Sequence, residues 1–289
     1  MKYIPLVIFF WIAAMPLSGQ QKRSDLNSMI ETEYSFVSAA GELGMRDAFL
    51  KFIADDGIIF RPAPLNGKKF LSEAPNRAGL LSWYPAHADI SGAGDMGFTT
   101  GPADLRRDKD SAAIWFGNFC TVWQKQLNGE WKFEIDIGNQ TDKPSVNETP
   151  LKYQANGSFS GQLIKGVSRN KPNELFTLDR QFRTISEKLG IAGTYKKFVN
   201  DETRILRDGV YPVIGIDQID HFWRTQNISI NFKPLGGKLS LSKDFGFTYG
   251  ELEMVNNAEN GRERFYYMRV YKKDGKHWVI AAEVQSKIE

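Results

Sequence analysis

The sequence predicts an α+β protein built from two copies of one small domain, helices first and antiparallel strands after. Three observations predict it: a self-repeat, a shared layout of helices followed by a strand meander, and matching hairpin turns. The repeat is the strongest. Residues 42–61 read E-L-G-M-R-D-A-F-L-K-F-I-A-D-D-G-I-I-F-R, and residues 187–207 read E-K-L-G-I-A-G-T-Y-K-K-F-V-N-D-E-T-R-I-L-R. Aligning Gly44 with Gly190, an offset of 146, also pairs Phe49 with Tyr195, Phe52 with Phe198, Asp55 with Asp201 and Arg61 with Arg207. D-M-G-F-T-T-G at 95–101 meets D-F-G-F-T-Y-G at 244–250 at an offset of 149. V-W-Q-K at 122–125 then meets V-Y-K-K at 270–273, and Trp131 meets Trp278. Blocks recurring in one order at nearly constant spacing mark a duplication.

Each copy opens on a helix with one apolar face: Met29, Ile30, Tyr34, Phe36 and Val37, then Leu175, Phe176, Leu178, Phe182 and Ile185. A second short helix follows Gly44 or Gly190. Gly57–Arg61 reads as a strand, with a loop at Pro62, Pro64 and Gly67 behind it. A third helix is predicted over Phe70–Ser82, with Ile216–Arg224 as its counterpart. Strands follow over Ala86–Ser91, Met96–Pro102, Ala112–Gln126 and Glu130–Ile137. Asn128-Gly129 and Asp274-Gly275 supply the positive φ of tight hairpin turns. With no βαβ alternation, the helices of each copy belong on one face of its sheet.

Residues 24–138 form the first domain, 139–171 a linker rich in Asn, Ser, Gly, Pro and Thr, and 172–289 the second domain. Within the linker, Leu151–Tyr153 and Phe159–Ile164 have the composition of a short pairing strand. Lys2 followed by the apolar stretch Ile4–Leu17 reads as a secretory leader over residues 1–20. The expectation is a bacterial periplasmic or secreted protein, with no membrane contact once the leader is removed. Cys120 is the only cysteine, so no internal disulfide forms. The net charge is +3 and no Lys/Arg run exceeds two residues, which argues against a nucleic-acid partner.

The combination D-D-G-I-I-F-R-P, D-M-G-F-T-T-G and N-G-E-W-K-F in the first copy resembles the nuclear-transport-factor-2-like superfamily. Within it, the SnoaL-like and calcium/calmodulin kinase association-domain-like bacterial proteins are the most similar in pattern. The resemblance covers 26–138 well and 175–285 more weakly, since Thr203 replaces Gly57 and Leu206 replaces Phe60. It implies a cone-like domain, with about three helices packed on a curved antiparallel sheet and a pocket open at one end. The superfamily includes isomerases, cyclases, epoxide hydrolases and dehydratases alongside non-catalytic binders, so fold leaves function open.

A pocket enzyme of this kind requires a carboxylate or His base in an apolar cavity, and a donor for developing negative charge. Asp136 follows Trp131 and Phe133 in the last strand and is assigned to their face on strict alternation, with Glu283 as its counterpart and His87 as helper. Asp55 and Asp56 read as a helix C-terminal turn capped by Gly57 in positive φ, and Asp95 and Asp244 as turn residues. Tyr34, Trp83, Trp115, Trp123 and Phe133 are candidates for an apolar ligand wall, or for plain core. His87, His221 and His277 are dispersed, and neither phosphate loop nor nucleophile elbow occurs, so no metal or cofactor is expected. The leading reading is a pocket for a small, mostly apolar ligand. The alternatives are a cofactor-independent lyase or isomerase, and an assembly module formed by sheet-to-sheet packing as an intramolecular pseudo-dimer or a homo-oligomer. An apolar outer sheet face marks packing, whereas Asp136 and His87 clustered in one cavity mark catalysis.

Overall fold

A computed structural model describes residues 17–76, 78–151, 171–258 and 261–288, with side chains from residue 24 onward. Residues 1–16 of the expected leader and residues 152–170 of the linker lie outside that set, together with Phe159–Ile164. Among the described residues, no helix is long and apolar enough to cross a membrane.

The first copy runs α1 (Leu17–Leu43), α2 (Met45–Phe52), β1 (Ile53–Phe60), β2 (Pro64–Asn66), α3 (Gly67–Glu73), β3 (Leu80–Trp83), β4 (His87–Ile90), β5 (Met96–Arg106), β6 (Ala113–Lys125) and β7 (Trp131–Thr141). The second runs α4 (Asn173–Tyr195), β8 (Arg204–Arg207), β9 (Val210–Ile214), α5 (Ile216–Arg224), β10 (Ile228–Leu239), β11 (Phe245–Asn256), β12 (Arg262–Asp274) and β13 (His277–Lys287). The result is α+β with two sheets. One has the order β2-β1-β7-β6-β5-β3 with β4 also beside β5, and the other has the order β10-β11-β12-β13-β8-β9. All pairings are antiparallel except β1 with β7 and β8 with β13. Gly44 (φ 84) and Gly190 (φ 69) break the opening helix at matched points, where a side chain would be strained.

Three local expectations change. The third helix of the first copy stops at Glu73 instead of reaching Ser82, because Pro75 and the positive-φ Gly79 end it. Leu80–Trp83 then pair as a strand with Ala103–Arg106. Gly57 is not a left-handed cap, and Asp55 and Asp56 are exposed residues inside β1. A Cβ at Gly57 would instead collide with the Ile53 side chain. β7 continues to Thr141, three residues into the stretch read as linker. Leu151 forms no strand, but its backbone N–H donates to Pro85 O at 2.8 Å.

Each sheet buries its inner face under its own helices. Phe36, Phe49, Phe52, Trp83, Trp123 and Phe133 fill the first copy; Phe182, Tyr195, Trp223, Phe232, Tyr267 and Tyr271 fill the second. The outer faces of the two sheets pack against each other. Phe60, Met96, Phe98, Cys120, Val122, Ile135 and Ile137 meet Phe245, Phe247, Met268, Val270, Ala282 and Val284 in one buried cluster. Phe98 and Phe245 stack with centroids 6.2 Å apart. These positions correspond between copies, so the same alternating apolar pattern of the repeated blocks supplies both sides of the cluster.

The matched turns close the interface at one end. Asp244 accepts from Gly92 N–H at 3.0 Å, and Asp95 accepts from Leu241 N–H at 2.9 Å. Asp95 also accepts from Ser91 Oγ at 2.8 Å. The two aspartates of the D-x-G-F-T blocks therefore do more than turn the chain: each caps backbone of the opposite copy. Lys238 to Glu134 (2.6 Å) and Lys272 to Asp89 (2.7 Å) bridge the sheets elsewhere.

Candidate functional site

The inner face of the first sheet carries its polar groups on three neighbouring strands. In β6 and β7, Val122 pairs with Ile135 but Trp123 pairs with Phe133, so Glu134 is an extra residue at a bulge. Strict alternation would turn Asp136 to the face opposite Phe133. The bulge reverses the parity and returns Asp136 to the inner face, opposite Thr121. The expected face is correct, but alternation was the wrong reason for it.

Thr121 Oγ1 donates to Asp136 Oδ2 at 2.6 Å. Its cross-strand partner Thr99 donates to Glu33 Oε2 at 2.5 Å, and Trp123 Nε1 donates to the same oxygen at 3.0 Å. Trp83 Nε1 donates to Glu33 Oε1 at 2.5 Å. Glu33 comes from α1 and is fully buried. Burial lifts its carboxyl to about 7, the Asp136 charge adds to the lift, and the Thr99, Trp83 and Trp123 bonds oppose it. Burial also raises Asp136, against the Thr121 bond and the Arg61 charge. Glu33 and Asp136 thus form a pair of inward carboxylates joined through adjacent threonines, the inner one poised near neutrality.

Beyond this pair lies a cavity of about 290 Å³, lined by Met45, Arg46, Phe49, Arg61, Phe70, Leu71, Ala74, Pro75, Ala78 and Leu105. Phe49 faces Phe36 and Phe133 on its other side, at 4.8 and 5.7 Å between centroids. Arg61 lines the cavity, and its charge acts on Asp136.

The second copy fills the corresponding space. Arg269 stands where the first copy has Thr121, Asp179 where it has Glu33, and Glu283 where it has Asp136. Arg269 donates to Glu283 Oε2 at 2.5 Å and to Asp179 Oδ1 at 3.1 Å, with all three side chains fully buried. Its guanidinium lies 3.5 Å from the Phe232 centroid and 4.2 Å from that of Phe182. Tyr267 and Tyr271 donate to Asp179, and Tyr195 to Glu283. Burial opposes the Arg269 charge, but Glu283, Tyr271 and Asp179 outweigh it and hold the group protonated. Trp223, from α5, is fully buried and stacked on Tyr195 at 5.0 Å.

His87 does not join Asp136. It pairs with Thr100 on β5, next in register to the outer residue Phe98, and its ring sits 5.6 Å from Phe98. Burial, then the Arg204 charge, lowers its pKa. A one-residue difference in strand parity separates the two across the sheet, so His87 cannot assist Asp136. The expected wall also divides. Trp83, Trp123 and Phe133 are buried core, Trp115 packs at their edge, and Tyr34 donates to Leu151 O at 2.9 Å. None of the five lines the cavity. Asp55 and Asp56 border a different, charged groove near Lys68 and Lys238.

Glu33, Arg46 and Arg61 were missed as site residues. Glu33 was findable: it sits three residues after Ile30 and before Phe36, on the helix face that is otherwise apolar, and the 146 offset pairs it with Asp179. Among the described residues no group of three His, Cys, Asp or Glu side chains is placed to hold a metal ion.

No family model matches the chain, and no curated protein matches it. Solved structures do. A ketosteroid isomerase-like protein from Erwinia carotovora atroseptica aligns over 40% of this chain and 98% of its own, at 15% identity and a TM-score of 0.33. A nuclear-transport-factor-2-like protein of unknown function from Shewanella oneidensis aligns over 40% and 98%, at 11% identity and a TM-score of 0.35. One from Cytophaga hutchinsonii aligns over 41% and 99%, at 11% identity and a TM-score of 0.34.

Proposed function

We propose that the first copy binds a small, mostly apolar ligand in the mouth of its cone, and that the second is a filled structural partner. The observation that carries this reading is the apolar cavity of about 290 Å³ between α2, α3 and β5. Its volume is at the small end of ligand sites. The neutral fluorophore N-phenyl-1-naphthylamine tests the reading. Its emission should rise on adding the protein, and Ala74→Trp should abolish the rise by filling the cavity. Emission unchanged by Ala74→Trp would place any binding elsewhere and sink the proposal. Export to a bacterial periplasm or medium remains part of the reading on the strength of the apolar N-terminal stretch. Secretion of a fusion carrying residues 1–25 tests it, and retention in the cytoplasm counts against it.

A second reading is favoured by the carboxylate pair. A buried carboxylate on the inner face, with a second carboxyl near neutrality whose charge it feels, suits proton abstraction by Asp136 without a cofactor. Proton–deuterium exchange of a bound carbon acid, lost in Asp136→Asn, would support it. Equal exchange in that variant would end it.

A further inference from the structure

We propose that the seam between the two copies holds a second binding site, for a small neutral molecule that joins an apolar body to an amide group. The site is separate from the cavity of the first cone and stands or falls without it.

Three walls enclose a hollow of about 300 Å³ there. The outer face of the first sheet gives Pro102, Asn118 and Thr141, β9 gives Tyr211, Pro212 and Ile214, and residues 144–148 of the linker close the third side. Both copies hold the linker in place: Tyr84 Oη donates to Glu148 O at 2.8 Å, and Tyr211 Oη to Lys143 O at 2.7 Å. Asn118 and Thr141 are 4% and 8% exposed, and neither side chain has a hydrogen-bond partner among the described residues. Asn139, paired with Asn118 across the strands, adds a buried Oδ1 that also lacks a partner among them. Buried amide and hydroxyl groups are almost always bonded, so unspent ones on the wall of a hollow mark a place for a polar guest. The Asn118 amide offers an acceptor beside a donor, and a ligand amide matches it in both senses. Glu148 is the one charged side chain lining the hollow among the described residues, and Arg204 pairs with it at 2.6 Å. With no unpaired charge in the lining, a neutral ligand is favoured over an acid or an amine, which would have to shed water without gaining a counter-charge.

The matched positions of the second sheet carry different side chains. V-W-Q-K at 122–125 and V-Y-K-K at 270–273 set an offset of 148 for this strand, which places Tyr266 where the first sheet has Asn118. The offset of 149 for the preceding strand places Tyr249 where it has Thr100. Phe60 of the first copy packs on Tyr249 and Tyr266, at 6.3 and 6.1 Å between centroids. One strand position therefore carries a ring packed on the other copy in the second sheet, and an unbonded amide beside a hollow in the first.

Chemical-shift titration of the isotope-labelled full chain with benzamide, acetophenone and benzoate tests this, because the three differ only in the group on the carbonyl carbon. Benzamide should bind about fivefold tighter than acetophenone, the factor that one net hydrogen bond confers, and benzoate should bind weakest. Benzamide should also move the side-chain amide signals of Asn118, identified by their loss in Asn118→Leu. In that variant, of similar size, benzamide should fall to the level of acetophenone, and the acetophenone that still binds shows that the chain is folded. Asn118→Tyr, which copies the second sheet, should abolish binding of both. Ala74→Trp, which fills the first cone, should leave benzamide unaffected. Equal affinity for benzamide and acetophenone in the parent chain would overturn the site, and so would benzamide binding indifferent to Asn118→Leu, or no binding at all. Loss of benzamide binding in Ala74→Trp would place the ligand in the first cone and overturn it as well.

Discussion

The interiors of the two copies start from the same polar plan and resolve it in opposite ways. Both place a carboxylate from the first helix (Glu33, Asp179) and one from the last strand (Asp136, Glu283) on the inner sheet face. In the second copy Arg269 bridges the pair, three tyrosines complete it, and Trp223 closes the space. In the first copy Thr121 reaches only Asp136, Glu33 is held by neutral donors, and a cavity remains beside Arg61. The ion pairs of the second copy are made from within, although the Arg269 Nη2 amine is buried without a hydrogen-bond partner among the described residues. A carboxylate pair without an internal cation, next to open apolar space, keeps its proton and its ligand as variables.

Removing the bridge should expose this difference most strongly. Arg269→Met leaves Asp179 and Glu283 buried without their cation and should cost about 3–5 kcal/mol in denaturant unfolding. Thr121→Val, at the matched position, removes one hydrogen bond to a carboxylate and should cost about 1–3 kcal/mol. Equal costs would break the contrast between a bridged and an unbridged interior.

Acid should act on the first copy through Glu33. Its folded value of about 7 lies above the ordinary 4.5, so the folded state holds the proton more tightly than the unfolded chain. The stabilisation is complete below pH 4.5 and is lost as pH rises toward 7, amounting to about 3 kcal/mol. Glu33→Gln, which imitates the protonated group, should remove that contribution. The unfolding free energy of the variant minus that of the parent should therefore rise between pH 4.5 and 7 and be level above. A flat difference would mean that Glu33 is ionised throughout.

Separating the copies should cost less. Asp244→Ala removes the acceptor for Gly92 N–H at the inter-copy turn, and a loss of about 1–2 kcal/mol is expected. Asp95→Ala should cost somewhat more, because Asp95 is fully buried whereas Asp244 is part-exposed. A larger loss from Asp244 would show that the second copy's turn is the principal clasp.

Much of this architecture was legible from residues alone, for reasons that are local. Gly44 and Gly190 break helices, Asn128-Gly129 and Asp274-Gly275 turn hairpins, and alternating apolar residues make strands, each within a few residues of sequence. The matched offsets then made one copy the key to the other. The site was less legible. Trp123 and Phe133 look like a ligand wall in sequence, but packing against Phe36 makes them core. Asp136 and His87 seemed able to meet, yet strand parity puts them on opposite faces.

By itself, then, the sequence determined the duplication, the order of helices and strands, and the carboxylate conserved in place between the two copies, because periodicity and turn chemistry act over short range. Only the tertiary structure decided which face Asp136 occupies, that the two sheets bury each other, and which copy keeps a cavity. Those outcomes depend on the bulge at Glu134, on Arg269 or Thr121 facing the matched carboxylates, and on whether Trp223 or a run of small residues stands beside the second short helix. Each is a contact between residues far apart in the chain, and no local pattern records it.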